Sequence, residues 1–166
     1  MTASVCKSAT RWLKSTSNRT FVLWPLLLLA LQAVLGGGWP RVNLWGVPLL
    51  LWGYGQYKVM GLRRTARGGG GPGMSNPPER LVTDGLYGYT RNPMYLGHLI
   101  FFLGLGVTFS DAGVTLAGVA AWLLLLVHLP WFNQRARQDE AQLGQRFGAD
   151  YDAYRRRVKR WIPGLY

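Results

Sequence analysis

Asp139 and Glu140 are adjacent acids flanked upstream by Arg135 and Arg137, in a chain with only 7 acidic residues against 19 basic ones. Carboxylates beside guanidinium groups can hold a cationic ligand while an arginine holds an anionic one. Acids early in a helix also complement its dipole, so a structural role stays open for a helix beginning near Asn133. A second polar concentration runs from Glu79 to Gly97, rich in turns and aromatic rings. Asp84-Gly85 marks a turn. Asn92-Pro93 suits a helix start, with proline near the first turn. The first N–H groups of that helix can receive an anion or carboxylate. Tyr87, Tyr89 and Tyr95 can equally form an aromatic belt at a membrane interface.

Other chemistries lack their residues. His98 and His128 stand in apolar runs without Cys, Asp or Glu at ligand spacing, so both read as packing residues and no metal is expected. No G-x-S-x-G or H-E-x-x-H motif occurs, which leaves hydrolysis without a nucleophile elbow or zinc helix. Gly68, Gly70 and Gly73 satisfy G-x-G-x-x-G literally. A dinucleotide fingerprint needs a strand before and a helix after. Here an apolar helical run precedes and Ser-Asn-Pro-Pro follows, so the segment reads as a flexible linker. The single cysteine, Cys6, excludes an internal disulfide.

The elements that must position these residues are apolar helices. Of 166 residues, 49% are hydrophobic and 16% charged, and the net charge is +12; soluble chains carry about 25% charge. Four runs approach membrane length: Phe21 to Gly38, Val42 to Met60, Pro93 to Ser110 and Gly113 to Phe132. A helix needs about 20 residues to cross the hydrocarbon core. A soluble domain of this size cannot bury four charge-free helices on every face. Only the second run carries a charge, Lys58, which can snorkel to the interface. Of the 19 basic residues, only Arg41 falls in the loops between runs one and two or three and four. The positive-inside rule makes the opposite side, with both termini, cytoplasmic. Topology and lipid contact thus account for the charge, and no nucleic-acid partner is expected.

The expected architecture is an all-α integral membrane protein of about four transmembrane helices, with cytoplasmic termini. Residues 1–20 form a basic flank, 21–67 the first two helices, 68–78 the Gly/Pro-rich linker and 79–166 the functional core. Small residues at Gly97 and Gly104, and at Gly113, Ala117 and Ala121, fit close helix packing. The short loop Ser110-Asp111-Ala112 makes an antiparallel hairpin of runs three and four. Pro25, Pro48, Pro93 and Pro130 are candidate kinks or ends. Leu143, Phe147, Tyr151, Tyr154 and Val158 form one apolar face of a basic C-terminal helix, expected to lie on anionic lipid.

The ordered motifs Gly85-Leu86-Tyr87, Arg91-Asn92-Pro93-Met94-Tyr95-Leu96-Gly97, Asp139-Glu140-Ala141-Gln142-Leu143, Phe147-Gly148, Tyr151, Tyr154, Val158 and Pro163 resemble the isoprenylcysteine carboxyl methyltransferase family, whose relatives include membrane phospholipid methyltransferases. The resemblance covers roughly Glu79 to Pro163. It implies an integral membrane enzyme that uses S-adenosylmethionine at its cytoplasmic face. By motif position, Glu79, Arg80, Leu81, Val82 and Tyr87 match one cofactor-lining stretch, and Asn92, Pro93, Met94 and Tyr95 another. One of Asp139 and Glu140 should meet the cofactor's amino group. Arg135 falls on the substrate-side arginine and, with Tyr95, makes the expected catalytic pair. Asn92 stands where eukaryotic members have His, and Asp139 is shorter than the usual Glu, which shifts the expected contact toward Glu140.

The implied acceptor is lipidic or small and apolar. A carboxylate acceptor needs no general base, and Arg135 can orient it; an amine or thiol needs a base that is not evident. Two other classes compete: a nicotinamide-dependent membrane reductase of the sterol reductase type, and a non-enzymatic membrane scaffold built on the small-residue faces.

Overall fold

The computed structural model describes residues 12–36, 40–71, 76–110 and 115–162. Cys6, Gly73, Asp111, Gly113 and Pro163, named above, lie outside them, as does most of the basic flank. Among the described residues every regular element is helical. The chain divides into two compact units, one of residues 1–52 and 100–126, the other of residues 53–99 and 127–166.

The first unit holds helix α1 (Trp24–Gly36), entered through a short turn at Thr16–Asn18 and a π-helical stretch at Arg19–Leu23. It also holds the start of α2 (Val47–Gly68), the end of α3 (Pro93–Phe109) and the start of α4 (Leu116–Phe147). Small residues set its packing. A side chain at Gly104 would meet the Leu50 backbone nitrogen at 2.9 Å, and one at Gly118 the Phe109 carbonyl at 2.8 Å. Gly106 faces the Trp122 ring, and Trp122 Nε1 donates to Ser110 Oγ at 2.9 Å. The order of these contacts, 109 with 118 and 106 with 122, is that of an antiparallel pair. Ala117 and Ala121 are buried, as their i+4 spacing implied, and so are Phe102, Leu105 and Phe109.

Two helical stretches are long and apolar enough to cross a membrane, Thr16–Leu35 and Leu116–Phe147. Helix α3 is apolar, but its 17 residues fall short of that length. Helix α2 has 22 residues, but Gln56, Lys58, Arg63, Arg64 and Arg67 dilute its apolar stretch. The apolar surface of α1 and α4 is largely outward: Leu26, Leu27, Val34, Leu35, Leu123, Leu126 and Val127 are exposed.

The second unit is built from the end of α2, the segment 76–92, the start of α3, the charged half of α4 and α5 (Ala149–Arg157). Gly69 and Gly70, both at φ +69°, end α2 in a left-handed turn. The Gly68 carbonyl there accepts from the Glu79 and Arg80 N–H groups at 2.7 and 2.9 Å. A 3-10 turn at Gly85–Gly88 follows, and Pro93 opens α3 as the Asn-Pro pair predicted. Gly97 lets α3 approach α2; a side chain there would meet the Gly53 carbonyl at 2.8 Å.

Two expectations change here. Asp139 and Glu140 lie well inside the 32-residue α4, which runs on through Pro130, so no nearby helix start exists for their charge to complement. The C-terminal stretch is also not one helix on lipid. Gly148 at φ +50° breaks it into the end of α4 and α5. Tyr151, Tyr154 and Val158 are buried in a cluster with Leu81, Leu143 and Phe147. Packing on the 76–92 segment has taken the face read as lipid-facing.

Candidate functional site

Beyond α5 the chain turns back along the segment before α3. Thr90 and Lys159 form an isolated parallel bridge, the Arg91 N–H donates to the Lys159 carbonyl at 2.9 Å, and Thr90 Oγ1 donates to the Arg160 carbonyl at 2.8 Å. This strap delivers Arg160 to a buried charge cluster. Arg160 Nε and an outer nitrogen donate to the two Glu140 carboxylate oxygens, each at 3.0 Å. Arg91 donates to the same carboxylate at 3.1 Å, and Asn92 Nδ2 at 2.9 Å. A buried carboxylate requires such partners, because desolvation of a lone charge costs several kcal/mol (about that order).

Next to this cluster opens a cavity lined by Arg64, Pro78, Leu81, Val82, Tyr87, Arg91, Asn92, Pro93, Met94, Tyr95, Asp139, Leu143, Tyr151 and Tyr154. Three separate stretches of sequence supply it. Asp139 projects from α4 and accepts from the Tyr95 hydroxyl of α3 at 2.7 Å. Tyr95 in turn packs against the fully buried Phe132 ring, centroids 5.3 Å apart. Met60, Val82 and Tyr87 form an apolar cluster with Met94. Tyr154 donates its hydroxyl to the Tyr87 carbonyl at 2.7 Å, which anchors α5 to the 3-10 turn. Burial pushes the Tyr87 hydroxyl up to about 12, only partly offset by the Arg64 charge. Burial also raises Tyr151 and Tyr154. All three therefore keep their protons near neutral pH, so none of them is a base there.

Of the residues singled out in the sequence, Leu81, Val82, Tyr87, Asn92, Pro93, Met94, Tyr95 and Asp139 meet at this cavity. Glu79 and Arg80 are exposed and are not among its lining residues. Glu140 is buried behind it, its oxygens taken by the two arginines and Asn92. Arg135 lies one turn before Asp139 on α4, exposed, with its guanidinium 5.8 Å over the Trp131 ring and within electrostatic reach of Asp139. His98 stacks on Phe132 at 5.1 Å and His128 lies 5.9 Å from Trp131, as ring-packing residues do. Among the described residues no group of His, Cys, Asp or Glu could hold a metal.

Sequence reasoning assigned no ligand role to Arg64, Pro78, Arg91, Leu143, Tyr151 and Tyr154, which also line the cavity. Arg91 was visible inside the Arg-Asn-Pro motif. Leu143, Tyr151 and Tyr154 were visible as a stripe at helical spacing, a signal that does not distinguish a ligand wall from a lipid face.

The fold and the cavity define a class: a protein helical in every regular element among its described residues, with two membrane-length apolar stretches and a largely apolar cavity lined also by one acid, two arginines and four tyrosines. Residues 46–137 match the profile of the family described as phospholipid methyltransferase; the chain belongs to that family. Among curated proteins it is similar to protein-S-isoprenylcysteine O-methyltransferase of Schizosaccharomyces pombe, 39% identical over 88 residues, covering 53% of this chain and 35% of the relative. The protein of the same name from Dictyostelium discoideum is 32% identical over 87 residues, 52% of this chain and 34% of the relative. Protein-S-isoprenylcysteine O-methyltransferase B of Arabidopsis thaliana is 32% identical over 85 residues, 51% of this chain and 40% of the relative. The chain thus spans between a third and two fifths of the length of these relatives. No solved structure matches it.

Proposed function

We propose that this protein is a membrane methyltransferase that uses S-adenosylmethionine and methylates a lipidic acceptor through a carboxylate oxygen. The cavity carries this reading, because it gathers eight of the motif-matched residues from stretches more than 40 positions apart, Leu81 to Tyr95 and Asp139. The residues present fit the cofactor's chemistry. Asp139 supplies an acid for its amino group, Leu81, Val82, Tyr87 and Met94 supply an apolar and aromatic wall for its base, and Arg64 and Arg91 supply positive charge for its carboxylate.

The bound sulfonium provides an already activated methyl group, so the hard chemistry is the cofactor's. The chain's own residues bind, align and exclude water. Tyr95 holds Asp139 by its hydroxyl, which fixes the carboxylate at the wall. Glu140 orients Asn92 and Arg91 through direct hydrogen bonds. Arg135 stands beside Asp139 to receive an anionic acceptor with its guanidinium. A carboxylate acceptor is favoured because Tyr87, Tyr151 and Tyr154 stay protonated, so none is a base for an amine or thiol. The names of the curated relatives point the same way.

The proposed membrane arrangement has four crossings. Helices α2 and α3 complete the set begun by α1 and α4, and the basic loops and both termini face the cytoplasm. The exposed leucines and valines of α1 and α4 support this, since soluble monomers rarely present contiguous apolar surface beyond a few hundred Å2. The cavity, bordered by Arg64, Arg91 and the charged half of α4, then opens on the cytoplasmic side.

Calorimetric titration of the detergent-purified protein with S-adenosylhomocysteine, with NADPH as comparison, tests the cofactor. Saturable binding of the first alone is expected; binding of NADPH alone would establish a reductase instead. Transfer of labelled methyl from S-adenosylmethionine to a prenylated cysteine, but not to phosphatidylethanolamine, is the expected acceptor result. The reverse preference would move the acceptor to a phospholipid amine.

A further inference from the structure

Two buried polar atoms at the cavity have no hydrogen-bond partner among the described residues: the Tyr151 hydroxyl and Arg91 Nε. Both belong to lining residues. Tyr151 is 2% exposed. The rest of the Arg91 guanidinium is committed, one outer nitrogen to Glu140 at 3.1 Å and the other to the Arg155 carbonyl at 3.1 Å. Buried polar groups are seldom left unpaired in folded proteins, so two at one cavity mark a place where something else supplies the partner.

The chemistry of that partner follows from the two atoms. Arg91 Nε–H can only donate. Burial keeps the Tyr151 hydroxyl protonated, and the Arg91 charge acts directly on it. A hydroxyl can accept as well as donate, but the surroundings select its role. Two guanidinium groups, Arg91 and Arg160, face the single Glu140 carboxylate, so the cluster holds one net positive charge behind the orphaned donors. The matching ligand group is an anionic acceptor with two oxygens, a carboxylate.

We propose that Tyr151 and Arg91 Nε together receive a carboxylate in this cavity, that of the cofactor's amino-acid end, opposite the ammonium held by Asp139. The assignment rests on the methyltransferase reading above. It makes Tyr151 a binding residue that distinguishes the full amino-acid cofactor from fragments lacking the carboxylate. Glu140 becomes a positioning residue, which holds Arg91 by an outer nitrogen and leaves Nε free.

The test compares wild type with Tyr151→Phe, in detergent, by calorimetric binding of S-adenosylhomocysteine and of 5′-methylthioadenosine, the analogue without the amino-acid end. Phe keeps the ring and removes only the hydroxyl. The expected result is about a tenfold loss of affinity for S-adenosylhomocysteine, with binding of 5′-methylthioadenosine unchanged. The unchanged second ligand also reports that the variant is folded. Equal S-adenosylhomocysteine affinity in both proteins would overturn the proposal, leaving the hydroxyl to a bound water. Equal losses for both ligands would overturn it too, placing Tyr151 against the nucleoside. If affinity for S-adenosylhomocysteine holds but the variant binds a prenylcysteine acceptor more weakly, the carboxylate is the acceptor's and the cofactor assignment falls. Failure of the wild type to bind S-adenosylhomocysteine would remove the methyltransferase reading itself, a result separate from all three.

Discussion

Adjacent acids with the same formal charge have different work in this protein, and their neighbours decide which. Asp139 faces the cavity with one bond from Tyr95, while Glu140 is enclosed by Arg91, Arg160 and Asn92. Asp139→Asn should weaken S-adenosylhomocysteine by about tenfold or more, the worth of a hydrogen bond to a charged group, without large loss of stability. Binding titration and thermal unfolding of the same samples check this. Glu140→Gln should act first on stability, and through its hold on Arg91 and Asn92 it should weaken binding as well. It leaves two buried guanidinium groups without a counter-charge, a loss of about 3–5 kcal/mol, seen as a lower unfolding temperature. A variant at Glu140 that stays as stable as wild type would show that the cluster is solvated rather than buried.

At the scale of elements, close approach and chain reversal depend on a few glycines. Gly97 brings α3 against the α2 backbone at Gly53 and Tyr57. A methyl group there meets backbone atoms that cannot rotate away, so Gly97→Ala should destabilise by about 1–3 kcal/mol. Because Gln56 Nε2 donates to the Pro93 carbonyl at 2.8 Å at the same junction, cofactor binding should weaken with it. Unfolding and titration together read both effects. Gly148 is different: nothing lies within 4 Å of an added side chain, but its φ of +50° disfavours one. Its ψ of −123° lies outside the left-handed helical region that Asn tolerates, so Gly148→Ala and Gly148→Asn should both cost about 1–3 kcal/mol.

For the whole molecule, charge distribution sets the prediction. With only Arg41 in the loops assigned to the far side, reporters fused at either end should both be cytoplasmic. Replacing Arg63, Arg64 and Arg67 by Gln should lower the fraction inserted in that orientation, measured by cysteine accessibility from each side of the membrane. Arg67 also pairs with Asp84, an exposed pair whose loss should contribute little to stability. Reporters found on opposite sides of the membrane would mean an odd number of crossings and overturn the four-helix arrangement.

The helical class and the helix start at Pro93 were legible in order and spacing, and eight of the residues that line the cavity were named through the resemblance to the family. Hydropathy acts locally along the chain, and proline and glycine act on their own backbone. The motif around Asn92 and the acids at 139 and 140 were paired by the resemblance to the family, which places both on one cofactor. Three things needed the folded chain. The break at Gly148 came from a positive φ that composition does not reveal. The burial of Tyr151 and Tyr154 came from the 76–92 segment packing over a stripe that has the same period whether it faces lipid or protein. The division of labour between Asp139 and Glu140 came from the strap that carries Arg160 back to Glu140. A one-residue step along a helix turns a side chain by about 100°, so neighbours in sequence face different partners. Sequence names the acids; only contact between distant segments decides which one faces the cavity and which is enclosed by arginines.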